Sequence, residues 1–109
     1  IMGSPGSVED SRLAVFLWAE SLVNERIMAG QLPSFRPYLG VLTRAVAEAQ
    51  QAGRLDASLE PEGVARIIAG AMIGLQVQLT WEPDIDIEAA HRAITSMITG
   101  RFWQSGPVA

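Results

Sequence analysis

With one histidine, His91, and neither cysteine nor lysine, this 109-residue chain has few groups that could do chemistry. Metal binding needs several ligands at matched spacing, and His91 has no spaced partner on its own helical face. It reads first as a satisfied core or interface imidazole, then as a ligand contact or pH-sensitive group, and last as a metal ligand. The run Asp84, Asp86, Glu88 looks superficially like a calcium loop. It lacks the glycine and terminal bidentate glutamate of such a loop, so helix capping accounts for it. Paired carboxylates are the remaining catalytic option. Glu20 and Glu25 lie five residues apart, a poor match to one helical turn. No nucleophile elbow or phosphate-cradling glycine loop occurs, because Gly70 and Gly74 fall inside a helical run rather than between strand and helix. The chain reads as a non-enzyme that uses no metal and no cofactor.

What remains is aromatic and amide chemistry. Phe16, Trp18, Phe35, Tyr38 and Trp81 can wall an apolar pocket between helices, or serve as ordinary core. Asn24, Thr43, Gln76 and Gln78 offer polar handles to such a pocket. Gln76 and Gln78 are the more telling pair. Amides inside a long apolar run must find partners, whether a ligand, a neighbouring helix or a second subunit.

Four helices must position these residues. The first is expected over Glu9–Met28, with Val15, Trp18, Ala19, Leu22 and Val23 on one face, and Gly30 ending it. Pro33 and Pro37 mark the connection. The second runs from Arg36 or Pro37 to Ala52, with Leu39, Leu42, Val46 and Ala49 in one stripe, an Arg44–Glu48 pair, and Gly53 as a left-handed C-cap. The third runs from Pro61 to Thr80. Pro61 suits the first helical position, Glu60 is a weak cap, and Leu59 and Val64 have hydrophobic-staple spacing. Val64, Ile67, Ile68, Ala71, Leu75 and Leu79 form one of its faces; Gly70, Ile73, Gly74, Val77 and Trp81 form a nearly opposite one. A helix apolar on two faces must be covered on both. Gly70 and Gly74 then read as close approach of another backbone, as room for a ligand, or as mere tolerance. The fourth helix is capped by Asp84 or Asp86 and carries Ile87, Ala90, His91, Ile94 and Ile98 in a stripe, with Met97, Arg101 and Phe102 at its edges. The fold class is all-α, an antiparallel bundle of about four helices with short connections.

Composition sets the outer bounds. The length suits one domain, and the 49% apolar fraction excludes disorder. That excess in a short chain implies apolar surface buried against a partner. The eight basic residues are all arginine, against twelve acidic ones, for a net charge of -4. An acidic balance argues against this segment being a nucleic-acid-binding face. The longest apolar run, Ile67–Trp81, is interrupted by two glutamines and falls short of the ~20 residues of a bilayer span. No signal peptide pattern opens the chain. These readings imply a cytoplasmic protein with no membrane partner. Residues 1–8 read as a flexible linker or cloning remnant, 9–104 as the domain, and 105–109 as a frayed tail; a start on Ile1 suggests a fragment.

The run Val46-Ala47-Glu48-Ala49-Gln50-Gln51-Ala52-Gly53-Arg54-Leu55 resembles the end of a middle helix in tetracycline-repressor-like (TetR family) regulators. So does Leu59-Glu60-Pro61-Glu62-Gly63-Val64-Ala65, leading into Ala71-Met72-Ile73-Gly74-Leu75. The likeness covers Leu32 to Trp103 and rests on the order and spacing of loose motifs. It implies a ligand-binding and dimerisation domain whose last two helices pack into a homodimer. Carried over, it places Gly70, Ile73, Gly74, Val77, Trp81, His91, Ile94 and Ile98 at the dimer interface. It places Phe16, Trp18, Phe35, Tyr38, Met72 and Gln76 around a small, mostly apolar effector. It also implies an N-terminal helix-turn-helix domain, which nothing before Val8 encodes, so operator DNA is contacted only through a part outside this chain. Two other readings use the same faces: a standalone helical dimerisation or interaction module, and a small carrier of hydrophobic ligands.

Overall fold

A computed structural model describes residues 8–98. Residues 1–7 of the expected linker, the end of the fourth helix at Gly100, Arg101 and Phe102, and the expected tail lie outside them, while Val8, expected as the linker's last residue, opens the first helix. Within them the chain is all-α, with α1 at Val8–Ser21, α2 at Glu25–Gln51, α3 at Pro61–Trp81 and α4 at Ile87–Ile98.

The first two boundaries differ from the sequence expectation. The helix expected to run on to Met28 stops at Ser21, and Asn24 starts a new one. Asn24 Oδ1 accepts from the backbone N–H of Arg26 at 3.0 Å and of Ile27 at 3.3 Å. That is an N-cap, which satisfies donors a helix start leaves unpaired. Leu22 and Val23, expected on the buried face, are exposed in the turn before it. The second difference is larger. Pro33 and Pro37 do not separate helices but lie inside α2. Each lacks the N–H that would bond four residues back, so the carbonyls of Ala29 and Pro33 lose their helical partners. Ala29, Pro33 and Pro37 are all exposed, and water can take up those carbonyls.

Other local signals hold. Gly53 has φ 78°, and the bonds Arg54 N to Ala49 O (2.9 Å) and Gly53 N to Gln50 O (3.1 Å) close a Schellman motif at the end of α2. Glu60 caps α3 with both carboxylate oxygens, accepting from Glu62 N at 3.0 Å and Gly63 N at 2.7 Å. Asp86 rather than Asp84 caps α4, accepting from Ala89 N at 2.9 Å. The ion pair among the described residues is Glu62–Arg66 rather than Arg44–Glu48. An acid placed four residues before a base agrees with the helix dipole, whereas the reverse order opposes it.

The described chain divides into two units. In the first, formed by residues up to Tyr38 with Ala69–Ile85, Ser11 and Ala69 are buried, and Gln76 Nε2 donates to Ser11 Oγ at 3.3 Å. The inward face of α1 is thus Ser11, Val15 and Trp18. In the second, formed by Leu39–Ile68 with residues from Asp86 on, Leu39, Val46 and Ala65 are buried. Ile67, expected on a core face, is 70% exposed there, because the buried stripe of α3 passes through Ala65 instead. By length and composition α3 is long and apolar enough to cross a membrane, contrary to the expectation that no window reaches span length. The apolar run starts only at Ile67, whereas the helix begins at Pro61 and has 21 residues.

Candidate functional site

In the first unit the helices enclose a partly open cavity of about 170 Å³. Trp18 reaches it from α1; Gln31, Ser34, Phe35 and Tyr38 from α2; Met72, Ile73 and Gln76 from α3. The α2 contribution follows from helical geometry. Residues 31, 34, 35 and 38 stand at i, i+3, i+4 and i+7, one face of a helix. Phe35 and Tyr38 pack as a tilted aromatic pair with centroids 6.4 Å apart and planes at 52°. On α3, Met72 and Gln76 are one turn apart. No acidic or basic side chain lines the cavity.

Five of the six ligand candidates drawn from the sequence, Trp18, Phe35, Tyr38, Met72 and Gln76, are therefore brought to one cavity. Phe16 is not: it sits on the far side of α1 from the Ser11–Trp18 face and is 58% exposed. Three lining residues escape the sequence pattern. Gln31 and Ser34 are hidden because the proline-bearing segment reads as a connection, and only a helical α2 aligns them with Phe35 and Tyr38. Ile73 falls by helical phase on the face expected to meet a partner, yet it lines the cavity. The other polar handles have local uses. Asn24 caps α2, and Thr43 Oγ1 donates to Leu39 O at 2.8 Å. Gln78 is exposed.

The residues assigned to dimerisation fall in both units. In the first, Gly70 is exposed, Gly74 and Val77 are half-buried, and Trp81 is 74% exposed. Among the described residues a Cβ at Gly70 or Gly74 would meet nothing within 4 Å, so no backbone from another described helix approaches either glycine closely. In the second, His91, Ile94 and Ile98 are half-buried along one face of α4.

The loop between α2 and α3 carries the other notable polar cluster. Asp56 Oδ1 accepts from Ser58 N at 2.9 Å and from Ser58 Oγ at 2.7 Å. These bonds, the backbone one first, hold the exposed Asp56 carboxyl below its ordinary value of 3.8. Gln50 Nε2 donates to Asp56 O at 3.0 Å and Leu59 O at 2.7 Å, tying the loop to the end of α2. The cluster is structural: among the described residues no group of three His, Asp or Glu side chains is placed to hold a metal ion.

Helices that enclose an uncharged, aromatic-lined cavity are the kind of scaffold that holds a small molecule between them. The profile of the BetI-type transcriptional repressor C-terminal family matches residues 4–102, and the chain belongs to that TetR-type family. No curated protein and no solved structure matches it.

Proposed function

We propose that this domain senses a small, mostly apolar effector in the cavity of its first unit and transmits occupancy through a homodimer. The observation that carries the reading is the uncharged, aromatic-walled cavity, in a chain whose family is that of repressor C-terminal domains. Trp18, Phe35, Tyr38 and Met72 supply apolar contact, and the cavity has few polar groups, the usual make-up of a small-molecule pocket. Dimerisation runs through α3 and α4, with Gly70, Gly74, Val77, Trp81, His91, Ile94 and Ile98 at or near the contact. The exposed Trp81 suits a surface that a partner covers. Operator DNA is contacted by an N-terminal helix-turn-helix domain outside this chain, in the cytoplasm. An effector that binds one dimer arrangement more tightly shifts the population toward it and so resets the spacing of the DNA-reading heads; it can shift no more than its differential affinity allows.

Two measurements test this. Light scattering should give twice the chain mass, and a monodisperse monomer at micromolar concentration would defeat the dimer. With Trp81 and Trp103 changed to Phe, the emission of Trp18 should respond saturably to a small aromatic probe such as toluene. No response from toluene or its polar analogues would remove the sensing site and favour a ligand-free interaction module.

A further inference from the structure

Gln76 is the lining group with a tertiary tether. Its Nε2 donates to Ser11 Oγ, and Ser11, 65 positions earlier on α1, is only 4% exposed. A primary amide carries two N–H donors and a carbonyl oxygen with two lone pairs. The bond to Ser11 uses one donor, and no other side-chain hydrogen bond among the described residues engages this amide. One N–H and the carbonyl oxygen remain to serve a ligand. Gln31 and Ser34 also line the cavity, but neither is tethered through its side chain to another element. Fixing an untethered glutamine on binding costs rotamer entropy, which the bond to Ser11 has already removed for Gln76.

Size and charge narrow the ligand further. A cavity of about 170 Å³ is close to the ~150 Å³ of an engineered protein cavity that admits benzene. An anion would lose hydration and meet no positive charge in this lining, and a primary ammonium, although the aromatic faces attract it, would lose hydration with no carboxylate to replace it. We propose that the cavity takes an uncharged molecule of about one ring in size bearing a single hydrogen-bonding group, and that Gln76, positioned by buried Ser11, selects it. This rests on the effector-pocket reading above and adds to it the class of ligand and the selecting residue.

Titration calorimetry of the full chain with toluene, benzyl alcohol, benzoate and benzylamine tests the assignment. Benzyl alcohol should bind at least as tightly as toluene, and the two ions at least tenfold more weakly than benzyl alcohol. Gln76→Leu should weaken benzyl alcohol about fivefold, the equivalent of one neutral hydrogen bond, and leave toluene unchanged or tighter. Ser11→Ala should lower the preference for benzyl alcohol over toluene about two- to threefold while toluene affinity holds, a ratio that a general loosening of the fold would not move. If Tyr38→Phe abolishes the preference, or Gln76→Leu leaves it unmoved while both probes bind, the role given to Gln76 is overturned and the cavity stands. Tighter binding of benzylamine or benzoate overturns the uncharged class. If no probe binds, the effector pocket itself falls.

Discussion

A methyl group added at Gly70 or Gly74 sets two opposed effects against each other. Among the described residues a Cβ at either position meets nothing within 4 Å, so they impose no steric cost. Glycine in a helix interior is less favourable than alanine by roughly 0.8–1.0 kcal/mol. Gly70→Ala plus Gly74→Ala should therefore stabilise the isolated subunit by up to about 2 kcal/mol, and for a domain of this size about 1 kcal/mol is worth roughly 4–8 °C in Tm. A partner helix packed against this face changes the sign. Overpacking costs typically about 1–3 kcal/mol per site, and in a two-fold dimer each substitution appears on both subunits. A single Gly74→Ala then costs the dimer at least about 2 kcal/mol, which raises its Kd about thirtyfold. Sedimentation equilibrium reads the Kd, and circular dichroism reads helix content in the same samples. The expected result is a weaker dimer with helix content retained. An unchanged Kd with a Tm several degrees higher would refute the placement of these glycines at the interface.

Two further outcomes follow from local structure. Asn24→Ala removes both cap bonds to Arg26 and Ile27 and should cost about 1 kcal/mol, lowering Tm and speeding amide exchange at those two residues; unaltered melting would show that the cap is dispensable. Asp56, whose folded pKa lies below its unfolded value, contributes order to its loop that is fully present above the unfolded value and is lost as pH falls through the lowered one. Ser58→Ala removes the hydroxyl bond and keeps the backbone one, so it should bring the Asp56 pKa only part of the way back toward 3.8 in a carboxyl-carbon NMR titration, and an identical titration in both proteins would refute the hydroxyl's share.

The helices that carry strong end signals are legible residue by residue. Gly53, Pro61, Glu60 and Asp86 act within a few residues of themselves, through φ, a missing N–H or a short side-chain bond. The same local logic fails at Pro33 and Pro37. Proline opposes a helix interior by about 3 kcal/mol, but exposed carbonyls can be rehydrated and packing of residues such as Leu39 and Val46 can outweigh the rest. Taking those two prolines as helix breaks hides half of the α2 face of the cavity. Asn24 misleads for the opposite reason. It lies inside an apolar pattern that continues across it, and the pattern cannot show that the chain turns there.

Sequence alone determined the class: a lysine-free, acidic, all-helical chain whose motif order resembles a regulator domain. Those features depend on composition, period and capping, which act over one or two helical turns. Tertiary structure alone decided which residues face the cavity. Trp18, Tyr38 and Gln76 lie on three helices, and their meeting depends on how those helices are phased about their axes. The Gln76–Ser11 bond is of the same kind, since two polar residues 65 positions apart become a pair only when burial leaves each the other's nearest partner.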